Sequence, residues 1–219
     1  KYGMSNRGCE GVIVMKLFID TSDVEKVKEY QKLGVIVGCT TNPKIMADEG
    51  IEDWRAKLKE LSQIVEGPVS GEVTTNDEDE MVNQAREISS IGENVNVKIP
   101  ANRPGFKAVS RLEDLEVNMT ACMSPSQVYL AEKAGAEYAS IFMGRVSDMG
   151  YDPGKVIENA SEMTESTEII VGSIRKVQDI QEAFLSGADI VTTPPKFIDQ
   201  MIEHRKTDEA VREFLESGK

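Results

Sequence analysis

The sequence predicts an α/β fold: a (β/α)8 TIM barrel with an extra C-terminal helix. Two observations predict it. From residue 16 onward, short runs rich in β-formers alternate without a break with amphipathic stretches of helix length, and the alternation runs to eight pairs. A doubly wound open sheet more often stops at five or six strands. Eight is the count of a closed barrel, and 219 residues suffice to build one as a single domain.

In order, KLFID (16–20) reads as the first strand, and Ser22 with Glu25 three positions on reads as the capping box of the first helix. VIVGCT (35–40) is the second strand, and Asn42–Pro43 reads as an N-cap followed by a first helical residue. Helix-forming sequence covers 51–65, GPVSGEV (67–73) is the third strand, and a helix spans 77–91. NVNVKI (94–99) is the fourth strand, ended by Pro100, which has no N–H to give to a ladder. A helix over 105–112 leads to LEVNMTA (115–121), and Ser124 with Gln127 caps a helix that runs to 134. EYASIF (137–142) is the sixth strand, followed by a loop and a helix begun by Asp152–Pro153. EIIVGS (168–173), a helix over 177–185, ADIVTT (188–193) and a helix opened by Pro194–Pro195 complete the eight units. AGAEYAS and SGADIVT share a pattern of helix end, glycine, alanine, acid and strand, as expected of successive units. A last amphipathic segment, 207–217, follows the eighth unit, and its apolar residues Ala210, Val211, Phe214 and Leu215 need a partner. Residues 1–14 precede the first strand and are expected to stand outside the fold, leaving 15–219 as one barrel domain. Their apolar part is too short for a signal peptide.

Composition narrows the function. The net charge of −13 argues against a nucleic-acid footprint and against anionic membranes. No apolar run approaches the ~18 residues that a membrane span requires. Cys9, Cys39 and Cys122 form no CxxC and no disulfide framework, which suits a reducing, cytoplasmic setting. A single histidine, His204, near the C-terminus, leaves little room for Ser–His or His-based metal chemistry; it reads as a surface residue at a helix end.

The candidate site follows from where polar residues fall. In a barrel of this kind catalytic groups gather at the C-terminal ends of the strands. Asp20, Asn42, Glu72, Lys98, Asn118 with Thr120, Ser140 with Phe142, and Ser173 occupy such positions, with Arg145 and Arg175 just beyond strands six and seven. Period two puts Val95, Val97 and Ile99 on one face of the fourth strand, and Asn96 and Lys98 on the other. Taken alone, that heptamer fits an exposed lysine on an edge strand; the convergence of the other polar residues favours the barrel interior. A lysine there loses hydration, which disfavours its ammonium form, and a neutral amine is the nucleophile that makes a Schiff base with a carbonyl. Asp20 has no capping duty if Ser22 fills it, and Glu72 sits on a strand that disfavours glutamate. Asn42 serves equally as an N-cap or a ligand contact, and Asn118 and Thr120 equally as site residues or as a pair bonding each other. Ser124 and Gln127 are explained as a cap, and Asp148 as a partner of Arg145. Arg145 and Arg175 are either rim charges or, with Ser173, a phosphate site after strands six and seven, where guanidinium binds bidentately.

FIDTSDVEKV, the TTNP turn, EGPVSGEV, VKIP, NMT, SPSQ, FMGR, GSIR and TDEAVREFL together resemble the small transaldolase family, which includes fructose-6-phosphate aldolase. The resemblance runs from Met15 to about Leu215. It implies a cofactor-free, metal-free class I aldolase acting on sugar phosphates such as fructose 6-phosphate or sedoheptulose 7-phosphate, assembled as a homo-oligomer, a decamer or pentamer. It implies Lys98 as the Schiff-base lysine, Asp20 as the acid/base, and Glu72 with Thr120 as the pair that activates water. It further implies Asn42 and Asn118 as holders of substrate hydroxyls, and Ser173, Arg175 and Arg145 as holders of phosphate. Members that transfer carry Glu and Phe where the aldolases carry Gln and Tyr; Glu72 and Phe142 therefore favour transfer. Ala121–Cys122–Met123, Ile141 and Gly172 depart from the family pattern around the pocket. The expected activity is transfer of a dihydroxyacetone unit to an aldose phosphate. The alternatives are an aldolase-type lyase, a transaldolase-like enzyme of a specialised pathway, and a sugar-phosphate binding protein without turnover.

Overall fold

A computed structural model describes residues 15–218. The expectation for residues 1–14 falls outside them. Eight parallel strands close into a barrel in strict sequential order, with β8 returning to β1. The strands are β1 (Lys16–Asp20), β2 (Gly38–Thr40), β3 (Val69–Glu72), β4 (Val95–Pro100), β5 (Val117–Cys122), β6 (Tyr138–Phe142), β7 (Glu168–Gly172) and β8 (Ile190–Thr193). Around them lie α1 (Val24–Lys32), α2 (Pro43–Asp48), α3 (Trp54–Ile64), α4 (Glu78–Ser89), α5 (Arg103–Val109), α6 (Pro125–Lys133), α7 (Met143–Asp148), α8 (Pro153–Met163), α9 (Val177–Leu185), α10 (Pro195–Ile202) and α11 (Arg205–Ser217). This is the predicted (β/α)8 TIM barrel with its C-terminal helix.

Parity along the strands separates two cores. Outward residues such as Ile19, Val69, Val97, Ile99, Met119, Ile141 and Val171 pack against Leu58, Leu61, Met81, Ile88, Ile157 and Ile180 of the helices. Inside the barrel, Phe18, Tyr138, Ile170 and Ile190 form a separate apolar floor. The Phe18 ring fits because β2 opens with Gly38, where a Cβ would stand 2.6 Å from two ring carbons. That floor comes from strands β6, β7, β8 and β1. On the other side, inward positions of β3, β4 and β5 are polar up to Pro100 at the end of β4: Ser70, Glu72, Asn96, Lys98, Asn118 and Thr120.

Several local expectations change. Asp23, not Ser22, caps α1, its carboxylate accepting from the N–H groups of Glu25 and Lys26. Ser22 is instead fully buried and turned toward Glu49. The loop expected after the sixth strand contains the short helix α7, which has no side-chain cap to announce it. Helix α3 begins only at Trp54, where Asp53 supplies the cap, and α5 begins earlier than expected because Asn102 caps it. Ser124 caps α6, but Gln127 takes its hydrogen bond from the N–H of Met123 rather than of Ser124. His204 is an N-cap, its Nδ1 accepting from the Lys206 N–H at 3.2 Å.

The C-terminal segment keeps its apolar face in the open. No residue of α11 is buried, and Val211, Phe214 and Leu215 are 47%, 72% and 65% exposed. The helix therefore does not fold its apolar stripe onto its own barrel.

Candidate active site

The sheet register builds the site. Glu72 on β3 lies directly beside Lys98 on β4, and Lys98 beside Asn118 on β5. Lys98 faces into the barrel and is 5% exposed. Its Nζ stands 3.0 Å from Glu72 Oε2 and donates to the carbonyl of Thr41 at 3.1 Å. A buried ammonium needs such partners, since each unmet donor costs about 1–3 kcal/mol.

Asp20 ends β1 and caps no helix. It accepts a 2.7 Å hydrogen bond from Thr40, whose hydroxyl is also 2.6 Å from that of Thr192. Burial pushes the Asp20 carboxyl above the usual aspartate range; the Lys98 charge and the Thr40 hydrogen bond oppose that rise, while Glu49 and Glu72 add to it. The carboxyl is thus a stronger proton acceptor than a solvated aspartate.

These groups open onto a cavity of about 400 Å³ at the C-terminal mouth of the barrel. Asp20, Asn42, Glu72, Lys98, Ser140, Phe142, Arg145 and Ser173 line it, so eight of the eleven predicted site residues meet there. Asn42 both caps a helix and lines the cavity. Its Oδ1 caps α2 by accepting from the Ile45 N–H at 3.0 Å, which leaves only its amide donors for a ligand. Asn118 and Thr120 do not bond each other: Asn118 Oδ1 accepts from Ser140 at 2.7 Å, while Asn118 Nδ2 and Thr120 Oγ1 are buried without a protein partner. Neither lines the cavity itself, but Asn118 adjoins two residues that do, Lys98 on β4 and Ser140 on β6. Beyond Thr120, β5 gains one residue against β6, and Ala121 takes a φ of +59°.

At the rim, Arg145 stacks 5.4 Å from the Phe142 ring centroid. Ser173 holds a φ of +61°, and Gly144 packs so closely on it that a Cβ would approach the Ser173 carbonyl to 2.5 Å. Arg175 stands apart. It is half exposed, off the cavity wall and paired through both terminal nitrogens with Asp148. The expected Asp148–Arg145 pair is therefore replaced by Asp148–Arg175, because the turn after β7 brings Arg175 beside α7.

Sequence reasoning missed Thr40 and Thr192. Both lie on the inward parity of their strands, so extending the period-two count to β2 and β8 would have found them. It also missed a second cavity of about 280 Å³, lined by Trp54, Arg55, Thr74, Gln84, Glu87 and Ile88, which shares Glu72 with the first. Among the described residues, no group of three His, Cys, Asp or Glu side chains is disposed to hold a metal ion. No helix among them is long and apolar enough to cross a membrane.

Comparison with known proteins gives the family and the fold. The sequence model of the family described as "Transaldolase/Fructose-6-phosphate aldolase" matches residues 17–218. A probable transaldolase of Clostridium botulinum is 43% identical over 207 residues, covering 92% of this chain and 96% of that one. One from Methanococcus maripaludis is 42% identical and one from Bacillus cereus 39%, over the same shares of each chain. Among solved structures, a thiamine phosphate pyrophosphorylase from Pyrococcus furiosus superposes with a TM-score of 0.59 at 15% identity, covering 82% of this chain and 85% of that one. An orotidine 5'-monophosphate decarboxylase from Metallosphaera sedula gives 0.59 at 14% identity, covering 83% and 88%. At such identities these two share the fold alone. The chain belongs to the transaldolase/fructose-6-phosphate aldolase family.

Proposed function

We propose that this protein is a transaldolase, moving a three-carbon dihydroxyacetone unit from a ketose phosphate to an aldose phosphate through an imine at Lys98. The observation that carries the reading is the buried Lys98 amine, flanked by Glu72 and within the electrostatic reach of Asp20 at the mouth of one cavity. Glu72 Oε2, 3.0 Å away, receives the ammonium proton and frees the amine lone pair. The amine adds to the ketone carbon to give a carbinolamine, which takes up a proton on its oxygen and loses water to form a protonated imine. Glu72 and Thr120 hold the water and shuttle the protons. Asp20 takes the proton of the C4 hydroxyl, the C3–C4 bond breaks, and its electron pair flows to the iminium. The aldose phosphate leaves, and the enamine of dihydroxyacetone stays on Lys98 until an acceptor aldehyde reverses the steps.

Arg145 and Ser173 at the rim suit the distal phosphate, which fixes the substrate's orientation. Arg175 joins them only by leaving Asp148. Asn42 and Asn118 suit the sugar hydroxyls. The assay that tests the reading measures fructose 6-phosphate consumption with and without an aldose phosphate acceptor. Consumption that depends on the acceptor supports transfer. Equal rates with release of free dihydroxyacetone would establish the lyase alternative instead.

The exposed apolar stripe of α11 supports assembly as a homo-oligomer in which this helix docks on a second copy. Sedimentation of the Phe214→Glu variant, dissociating where the parent does not, tests that point.

A further inference from the structure

We propose that Glu49 is a positioning residue for Asp20, bracing the connection after β1 against helix α2. The proposal rests on the imine reading above. Glu49 does not line the cavity and touches no reacting atom, but its carboxylate reaches the two residues that directly follow Asp20. Oε1 accepts from the Thr21 hydroxyl at 2.7 Å; Oε2 accepts from the Ser22 N–H at 2.8 Å and from the Ser22 hydroxyl. Thr21 and Ser22 are 1% and 0% exposed, so these donors have no recourse to water. All three are donors converging on one side chain, and only a carboxylate presents two pure acceptors to them. Thr21 is also pinned through its carbonyl, which accepts from Cys39 Sγ at 3.3 Å.

Glu49 is itself fixed. Its N–H closes the end of α2 on the Ile45 carbonyl at 3.0 Å, and Gly50, at a φ of +73°, turns the chain so that the Ile51 N–H reaches the Met46 carbonyl at 2.8 Å. The same short helix starts at Asn42 on the cavity wall, just after Thr41, whose carbonyl holds Lys98. Glu49 therefore ties the segment carrying the proton acceptor to the far end of α2, while Lys98 keeps its own partners, Glu72 and Thr41. A cap on the N-terminal approach to α1 would account for one of its bonds. It does not account for the two hydroxyls beside Asp20.

The charge of Glu49 reaches Asp20 as well. Of the titratable groups facing Asp20, Lys98 from β4 favours its ionised form, while Glu72 from β3 and Glu49 from α2 disfavour it; Thr40 from β2 donates to it. Lys44 and Arg145 lie farther round the same cavity.

The experiment compares Glu49→Ala and Glu49→Gln with the parent in three readouts: kcat and KM for transfer, the acid limb of kcat/KM, and borohydride trapping of fructose 6-phosphate at Lys98. For Glu49→Ala we expect kcat to fall about 10- to 100-fold, the loss typical of a misplaced reacting group. Trapping should stay at the parent's yield, since Lys98 is seated on β4 beside Glu72. For Glu49→Gln, which keeps the side-chain volume and the fold, the acid limb should move to lower pH as Asp20 loses a negative neighbour. Parent-like kcat and acid limb in both variants would overturn the proposal. So would trapping that falls in step with kcat, which marks a general structural role. If the parent itself is not trapped at Lys98, the imine reading fails first and this inference with it; trapping in the parent with unaltered variants refutes the role of Glu49 alone.

Discussion

Replacing Asp20 by asparagine separates the two halves of the proposed chemistry. The substitution keeps size and shape, and an amide oxygen can still accept the 2.7 Å hydrogen bond from Thr40. It removes the only group placed to take the C4 hydroxyl proton in this mechanism, and a lost general base costs about 10²- to 10⁴-fold in rate. That corresponds to about 3–5 kcal/mol of transition-state stabilisation. Imine formation needs Lys98, Glu72 and Thr120 but not Asp20, so borohydride should still trap the donor at Lys98 in full yield. The stability effect has the opposite sign. Burial raises the Asp20 pKa in the folded protein, so ionised Asp20 destabilises the fold at neutral pH, and the penalty disappears as pH falls below the ordinary aspartate range. Asp20→Asn should therefore melt above the parent at pH 7 and level with it in acid. A variant with parent-like kcat, or one with no trapping at Lys98, would refute the assignment of Asp20 to bond cleavage.

Other consequences are independent of that one. Glu132, whose side chain is 5% exposed, is penalised by burial yet held down to about 2 by Lys133 and the N–H groups of Ser166, Glu165 and Thr167. Its stabilisation, about 3 kcal/mol, is present above the ordinary glutamate pKa and fades as pH falls toward about 2, so Glu132→Ala should lose about that much in urea unfolding at pH 7 and little at pH 2. Phe18→Ala empties the barrel floor and should cost about 3–5 kcal/mol by the same measurement. Arg145→Ala should raise KM for phosphorylated donors about 10- to 100-fold, the worth of a charged hydrogen bond, and leave unphosphorylated dihydroxyacetone transfer unchanged.

The barrel was legible because each strand–helix unit carries its own punctuation. Asn42, Ser124 and Asp152 cap the helices where the sequence places them, with a proline directly after each. Parity on β4 was enough to turn Lys98 inward once the strand was buried on both faces. What was not legible depends on contacts distant in sequence. Ser22 looks like a cap because Glu25 follows it at the right spacing, yet Glu49, 27 residues away, takes its N–H and hydroxyl. Arg175 looks like a phosphate ligand, yet Asp148, at the end of α7, holds it off the cavity wall. Helix α7 has neither a side-chain cap nor the length to show a period. Asn118 was recognisable as a site candidate, but its bond to Ser140 depends on the pairing of β5 with β6, which no local pattern encodes.

In the proposed chemistry the Lys98 amine forms the covalent bond to the ketose. Incubation with fructose 6-phosphate, borohydride reduction and peptide mapping test it directly. One added ketose-derived or dihydroxyacetone-derived mass is expected, located on Lys98 and lost in Lys98→Met. Label on any other lysine, or turnover without any label, would contradict it.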